Sequence, residues 1–212
     1  MPNWTSNSIT IKHSDKAKID LIVDRPEDQG VLQTIIPCPT ELNDDDLTTW
    51  SHGEEQAKRE LKQAEMVKKY GYKSWYDWNI AHWGTKWDLC DPEIERLDDN
   101  TIVISCQTAW SPPTEAFEAM LGMGYEVRAL YVGEGNEYAG IWDNGDDEYY
   151  QHFDSSEQAR ATLPQELDDF FGISDSIAEY EEESRREEEL YRFTVDGAEK
   201  RKELGMVDDL DD

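Results

Sequence analysis

Cysteine is scarce and unpatterned. Three occur in 212 residues, Cys38, Cys90 and Cys106, and none forms a C-x-x-C pair. An odd, scattered set argues against a disulfide framework or a thiolate zinc site. It reads as free thiols, partly buried, in a reducing compartment. Long apolar runs are missing too, since none approaches the roughly 20 residues that span a bilayer. The chain opens without a charged-then-apolar signal, so the expected compartment is the cytoplasm, with no membrane involved.

Catalytic signatures are also lacking. There is no G-x-S-x-G and no H-E-x-x-H. Gly133-Glu-Gly135 sits between strand patterns with no helix after it, so it reads as a turn and not a phosphate cradle. His13, His52, His82 and His152 are scattered. The one acid–base pairing worth inspecting joins His82 to Asp77 or Asp88. The expectation is a protein that is not an enzyme, with no catalytic residue, no metal and no cofactor.

Positive charge is short relative to negative. Lys and Arg number 20 against 49 Asp and Glu, a formal net charge of −29. Phosphate affinity comes from Lys and Arg, so direct binding to nucleic acid or an anionic membrane is disfavoured. A basic protein surface is the expected partner. The imbalance is uneven: residues 56–74 hold six bases against two acids, residues 143–169 nine acids against Arg160, and residues 173–212 fifteen acids against six bases.

What the chain does have is tryptophan. Four of its eight fall in residues 74–88: Trp75, Trp78, Trp83 and Trp87. Each buries roughly 150–250 Å², so the stretch reads as a core on which other elements pack. Ser74 with Asp77 has the spacing of a capping box, Trp75, Trp78 and His82 share a helical face, and Gly84 is a stop. Trp110, in Thr108-Ala-Trp-Ser-Pro-Pro113, is expected to join that cluster. Lys86 and Asp88 are spaced to pair with each other or with backbone.

Alternation marks strands at residues 7–12, 101–108, 126–132, 138–142 and 148–153, with Asn144-Gly145 as a two-residue hairpin turn. The apolar run Val31–Ile36 before Pro37 reads as a further strand. Helices are expected from Ser14 or Asp15 to about Asp24, and from a Ser51/Glu54 box to Gly71, with Ala57, Leu61, Ala64 and Val67 as its stripe. Others run from Ser111-Pro112 to Gly122 or Gly124, from an Asp154/Glu157 cap, from Pro164 to Gly172, and over 174–193. Residues 91–100 read as loop and 194–212 as frayed.

This order predicts an α+β, ferredoxin-like antiparallel sheet over residues 1–172, with a helical Trp-rich insertion at 40–98 between two β-α-β halves. Residues 173–212 form an acidic helical tail. The acidic residues expected to meet a partner are Asp143, Asp146, Asp147 and Glu148 at the hairpin, Glu181, Glu182, Glu183, Glu187, Glu188 and Glu189 on the tail helix, and Asp208 and Asp209 near the end. The hairpin acids lack the spacing of a calcium loop.

Four stretches resemble one family. They are Met1-Pro-Asn-Trp-Thr-Ser-Asn7, Ile35-Ile-Pro-Cys-Pro39, Trp75 to Asp88, and Thr108 to Pro113, with Trp83-Gly-Thr-Lys-Trp-Asp88 the most specific. They resemble phage- and plasmid-encoded proteins with a YubB-type ferredoxin-like domain. Thr5 stands where that family is expected to carry cysteine and His82 where it carries asparagine. The resemblance implies a mobile-element origin and a ferredoxin-like fold, and it supplies no catalytic residues.

Charge and resemblance together give the leading expectation: an acidic protein inhibiting a host nucleic-acid-handling or antiviral defence complex by imitating nucleic-acid charge. Two alternatives are a small enzyme with a pocket at the Trp cluster using His82 and Asp88, and a nucleic-acid module using sheet aromatics and the basic face Lys58–Lys73.

Overall fold

The computed structural model describes residues 3–49 and 52–203, with side chains described through residue 194. Ser51 of the expected capping box, Asp208 and Asp209 lie outside the described residues. The chain divides into two compact units, residues 1–152 and 153–212.

The first unit begins with β1 (Trp4–Lys12), in which Thr5, Asn7, Ile9 and Ile11 are buried at every second position. Period two places them on one face. Helix α1 (Lys16–Val23) follows, capped by Asp15, whose carboxylate accepts the Ala17 N–H at 3.0 Å, and it buries Ile19 and Ile22.

The next element corrects the expectation. Val31–Ile35 is a short helix, α2, and not a strand. A brief apolar run is ambiguous by periodicity, and a distant residue decides it. Asp88 accepts the N–H groups of Leu32 at 2.9 Å and Gln33 at 2.7 Å, which supplies the N-terminal cap. Gly30 makes room, because a Cβ there would lie 2.1 Å from an Asp88 carboxylate oxygen.

Helix α3 (Glu54–Tyr70) starts after Gly53 and ends at Gly71, which has φ 85°. Its expected apolar stripe stays outside: α3 has no buried residue, and Leu61 and Val67 are exposed. Met66 and Tyr70 lie partly buried against the core, and polar contacts to the preceding acidic segment add to this. Arg59 donates to Thr49 O, Gln63 to Leu47 O at 2.7 Å, Lys62 pairs with Asp44 and Asp46, and Lys69 pairs with Glu41 at 2.8 Å. Two of the six bases of the expected basic face, Lys62 and Lys69, are therefore already paired with carboxylates.

Helix α4 (Trp75–Trp83) is the Trp-rich helix, closed by left-handed Gly84 at φ 77°. Ser74 occupies the N-cap but is buried and makes no side-chain cap bond, so the expected capping box does not form.

Residues 90–98, expected as loop, form strand β2 (Cys90–Asp98), paired antiparallel with β3 (Thr101–Ala109). Its register is interrupted between Cys90 and Glu93, around Pro92, where proline is tolerated. β2 is an edge strand studded with charge, which conceals its alternation. Helix α5 (Thr114–Gly122) and strands β4 (Glu126–Gly133), β5 (Tyr138–Asp143) and β6 (Asp146–Gln151) complete the unit. Asn144 and Gly145 both have positive φ, 49° and 105°, as the hairpin turn demands.

The six strands lie in the order β2-β3-β1-β4-β5-β6, all antiparallel. The first four in chain order, arranged β2-β3-β1-β4, give with α1 and α5 the β-α-β-β-α-β order of a ferredoxin-like sheet, and β5 and β6 extend its β4 edge. The insertion therefore sits inside the first crossover, between α1 and β2, rather than between two halves. The core joins Ile9, Ile11, Ile19, Ile22, Ile102, Ile104, Phe117, Met120 and Trp142 with the buried indoles Trp78 and Trp83.

The second unit holds α6 (Ser156–Thr162), α7 (Gln165–Phe171) and α8 (Ile173–Glu203). Helices α6 and α7, grouped with the sheet by the sequence reading, share this unit with α8. Ser155, rather than Asp154, caps α6 by accepting the Gln158 N–H. Ala159, Leu163, Leu167 and Ile173 are buried. Helix α8 continues through residues 194–203, beyond the expected fraying point.

Candidate interaction surfaces

The run from Trp83 to Asp88 is first a clasp. Trp83 donates its indole N–H to Ile36 O at 3.0 Å, and Thr85 its hydroxyl to Ala109 O at 2.9 Å. Ser111 donates to Gly84 O at 2.7 Å, and Asn79 to Lys86 O at 3.0 Å. Asp88 caps α2 and also accepts the Leu89 N–H at 2.8 Å. Burial pushes the Asp88 carboxyl above the ordinary carboxylate range, and its backbone N–H bonds only partly oppose this.

His82 and Asp88 therefore have separate occupations. The His82 ring stacks on Trp78 at 4.2 Å and meets the edge of Tyr72 at 5.3 Å, and burial lowers its pKa. The oxygens of Asp88 are given to backbone. Nor do Lys86 and Asp88 pair: the Lys86 ammonium lies 4.3 Å over the Trp87 ring and 5.3 Å from that of Trp110.

The five tryptophans of the expected cluster do not share one environment. Trp78 and Trp83 are buried and meet edge-to-face at 5.7 Å. Trp75 and Trp87 are half-buried, and Trp87 leans on Trp4 at 6.0 Å. Trp110, expected to pack inside, is 42% exposed. Its backbone has φ 75°, a left-handed value that is an outlier for a bulky residue. Tyr76 meets it edge-on at 6.2 Å. The outcome is a buried indole pair beneath a partly exposed aromatic rim, Trp4, Tyr76, Trp87 and Trp110, with Lys86 in its middle.

Polar groups underlie the rim. Asn7 donates to Thr5 O and to Thr108 Oγ1, leaving its buried Oδ1 without a partner. Tyr138 joins Thr5 Oγ1 at 2.5 Å and donates to Trp110 O at 2.9 Å. Tyr131 donates to Asp147 at 2.6 Å, and burial drives its pKa strongly up. No residue motif announced this network, because its members come from β1, β3, β4, β5 and β6.

Of the acidic residues expected to face a partner, those at the hairpin are partly engaged. Asp143 pairs with Arg128 at 3.3 Å, Asp147 accepts from Tyr131, and Glu148 accepts from Tyr150 at 2.9 Å. Asp146 is exposed. Among the described residues no group of carboxylates, histidines or cysteines is placed to hold a metal ion. On α8, Glu181 is bonded to the Ser156 N–H at 2.9 Å and hydroxyl at 2.7 Å. Glu182 pairs with Arg186 and Glu188 with Arg192, while Glu183, Glu187 and Glu189 project from the same exposed helix.

A hollow of about 600 Å³ in the second unit is lined by Arg160, Asp168 and Asp175 among others. Arg160 pairs there with Asp175 at 2.8 Å, and Asp168 accepts the N–H and hydroxyl of Ser174, so both groups are already engaged. Among the described residues no helix is long and apolar enough to cross a membrane.

No family model and no curated protein matches the chain. Among solved structures, the crystal structure of protein api92 from Yersinia pseudotuberculosis, described with the family model DUF1281, aligns with 72% of this chain and 99% of that one. The identity is 10% and the TM-score 0.37. A likeness at that level defines neither fold nor function.

Proposed function

We propose that the protein is an acidic interaction protein of a mobile element that docks on a basic, nucleic-acid-binding surface of a host defence or nucleic-acid-handling complex and keeps nucleic acid out. One observation carries this reading: the charge density of α8. Between Glu179 and Glu189 the exposed helix holds seven glutamates and two arginines. At about 1.5 Å rise per residue this is a net charge every 3 Å or so. One DNA strand carries a charge about every 3.4 Å. A groove built for phosphates meets a comparable linear density of carboxylates, on a body whose net charge of −29 steers encounter. The pairing of Lys62 and Lys69 with carboxylates of the 41–46 segment, and the use of Arg59 on the Thr49 carbonyl, favour this over direct nucleic-acid binding. The protein would act in the host cytoplasm.

The test is capture from host lysate with the tagged chain, followed by competition. The expected result is a nucleic-acid-binding complex that duplex DNA displaces from the chain and that is lost as salt rises. Capture indifferent to both DNA and salt overturns the proposal.

A further inference from the structure

We infer that Trp87 and Trp110 form a seat for a cationic side chain, occupied in the free protein by Lys86, and that an arginine of a basic partner takes this seat on docking. The inference rests on the proposed docking and specifies one contact within it.

Three observations converge. First, the chain has 49 carboxylates, yet among the described residues Lys86 pairs with none of them. Its ammonium is instead 4.3 Å from the Trp87 ring centroid and 5.3 Å from that of Trp110. The quadrupoles of two indoles thus already define a place where positive charge is favoured.

Second, Trp110 is held in this position against its backbone preference. A bulky side chain at φ 75° costs energy, and such outliers persist only where their surroundings over-determine them. The surroundings here do so. The Trp110 N–H donates to Asn3 O at 2.9 Å, its carbonyl accepts from Tyr138 at 2.9 Å, and the adjacent Ser111 is tied to Gly84 O at 2.7 Å.

Third, the strain does not serve to bury the ring, because Trp110 stays 42% exposed. A tryptophan placed only for packing would take an unstrained, covered position.

Arginine is the occupant that fits. A guanidinium is planar, stacks on indole and is less strongly hydrated than an ammonium. Lys86, on a flexible stem, yields the seat. The net charge of −29 draws basic segments rather than anions toward it.

The experiment uses the full chain. Tryptophan fluorescence and calorimetry at low salt follow titration with an oligoarginine peptide, an oligolysine peptide of equal length and a single-stranded oligonucleotide. Oligoarginine is expected to perturb the fluorescence and to bind more tightly than oligolysine. Trp110→Asn, which keeps a residue tolerant of left-handed backbone, should weaken oligoarginine roughly tenfold and leave the melting temperature equal to or above that of the parent. Lys86→Met should tighten binding several-fold by emptying the seat.

Parental affinity in both variants overturns the seat, as does a lowered melting temperature of Trp110→Asn, which would assign the ring to packing. Fluorescence changes produced by the oligonucleotide instead, and abolished in Trp110→Asn, would assign the rim to base stacking and likewise overturn it. A combined Glu183→Gln, Glu187→Gln, Glu189→Gln variant separates the two proposals. If that variant loses affinity while the seat variants do not, charge-driven docking stands and the seat falls. If the parent binds no oligoarginine, both fall.

Discussion

Asp88 shows how much one side chain can carry. It closes the N-terminus of α2, and its two oxygens serve the N–H groups of Leu32, Gln33 and Leu89. Asp88→Ala would leave those donors unpaired in a part-buried place and is expected to cost about 2–3 kcal/mol by urea unfolding. Its pH dependence has a definite sign. Because burial holds the folded pKa above the unfolded one, its contribution is full below the ordinary carboxylate pKa, near 4. It is lost as pH rises through the raised value. The stability of the parent relative to Asp88→Asn should therefore fall as pH climbs from about 4 toward neutrality; a difference flat with pH contradicts this.

The thiols give a second test at the same scale. Burial pushes Cys38 to about 11 and Cys106 to about 12, and raises half-buried Cys90 as well. The thiolate is the reactive form. A disulfide reagent at neutral pH, read by mass spectrometry, should mark Cys90 first, with Cys38 and Cys106 reacting only at the rate of unfolding.

At the scale of elements, α3 stands apart from the rest of the first unit. None of its side chains is fully buried, Met66 and Tyr70 are only partly buried against the core, and the rest of its fastening comes from contacts such as those of Lys62 and Lys69 with Asp44, Asp46 and Glu41. Exposed ion pairs contribute little and are screened by salt. Hydrogen exchange in α3 should be faster than in β1 or β3, and should accelerate between low and moderate salt while the sheet is unaffected. Equal protection in α3 and β1 would contradict this.

Elements differ in how plainly the sequence declares them, and the difference is physical. β1, α1, α5 and the β5–β6 hairpin are written locally, in alternation, in capping residues and in Asn144-Gly145. α2 and β2 are not. The cap of α2 lies in a different segment, and β2 takes its conformation from β3 while its charged edge hides the period. The candidate site divides in the same way. The density of tryptophan in residues 74–88 marked Trp75, Trp78, Trp83 and Trp87 as core, and Trp78 and Trp83 are buried, whereas nothing in the letters around Trp110 signals left-handed backbone or exposure.

For the whole molecule, the excess of carboxylates over bases sets two salt dependences of opposite sign. Self-repulsion at −29 opposes compaction, so the melting temperature should rise as salt is added over the first few hundred millimolar. Affinity for a basic partner should decline over the same range. Parallel titrations of melting temperature and binding check this; a melting temperature that falls with salt would show that attractive pairs dominate the fold.

The reach of Asp88 has a consequence for synthesis on the ribosome. The carboxylate that starts α2 lies 56 positions downstream of Leu32. A nascent chain has made Val31–Ile35 long before it makes their cap. During that interval the segment is an uncapped apolar run with α1 beside it but not its cap, and the first crossover is completed backwards, from its distal end.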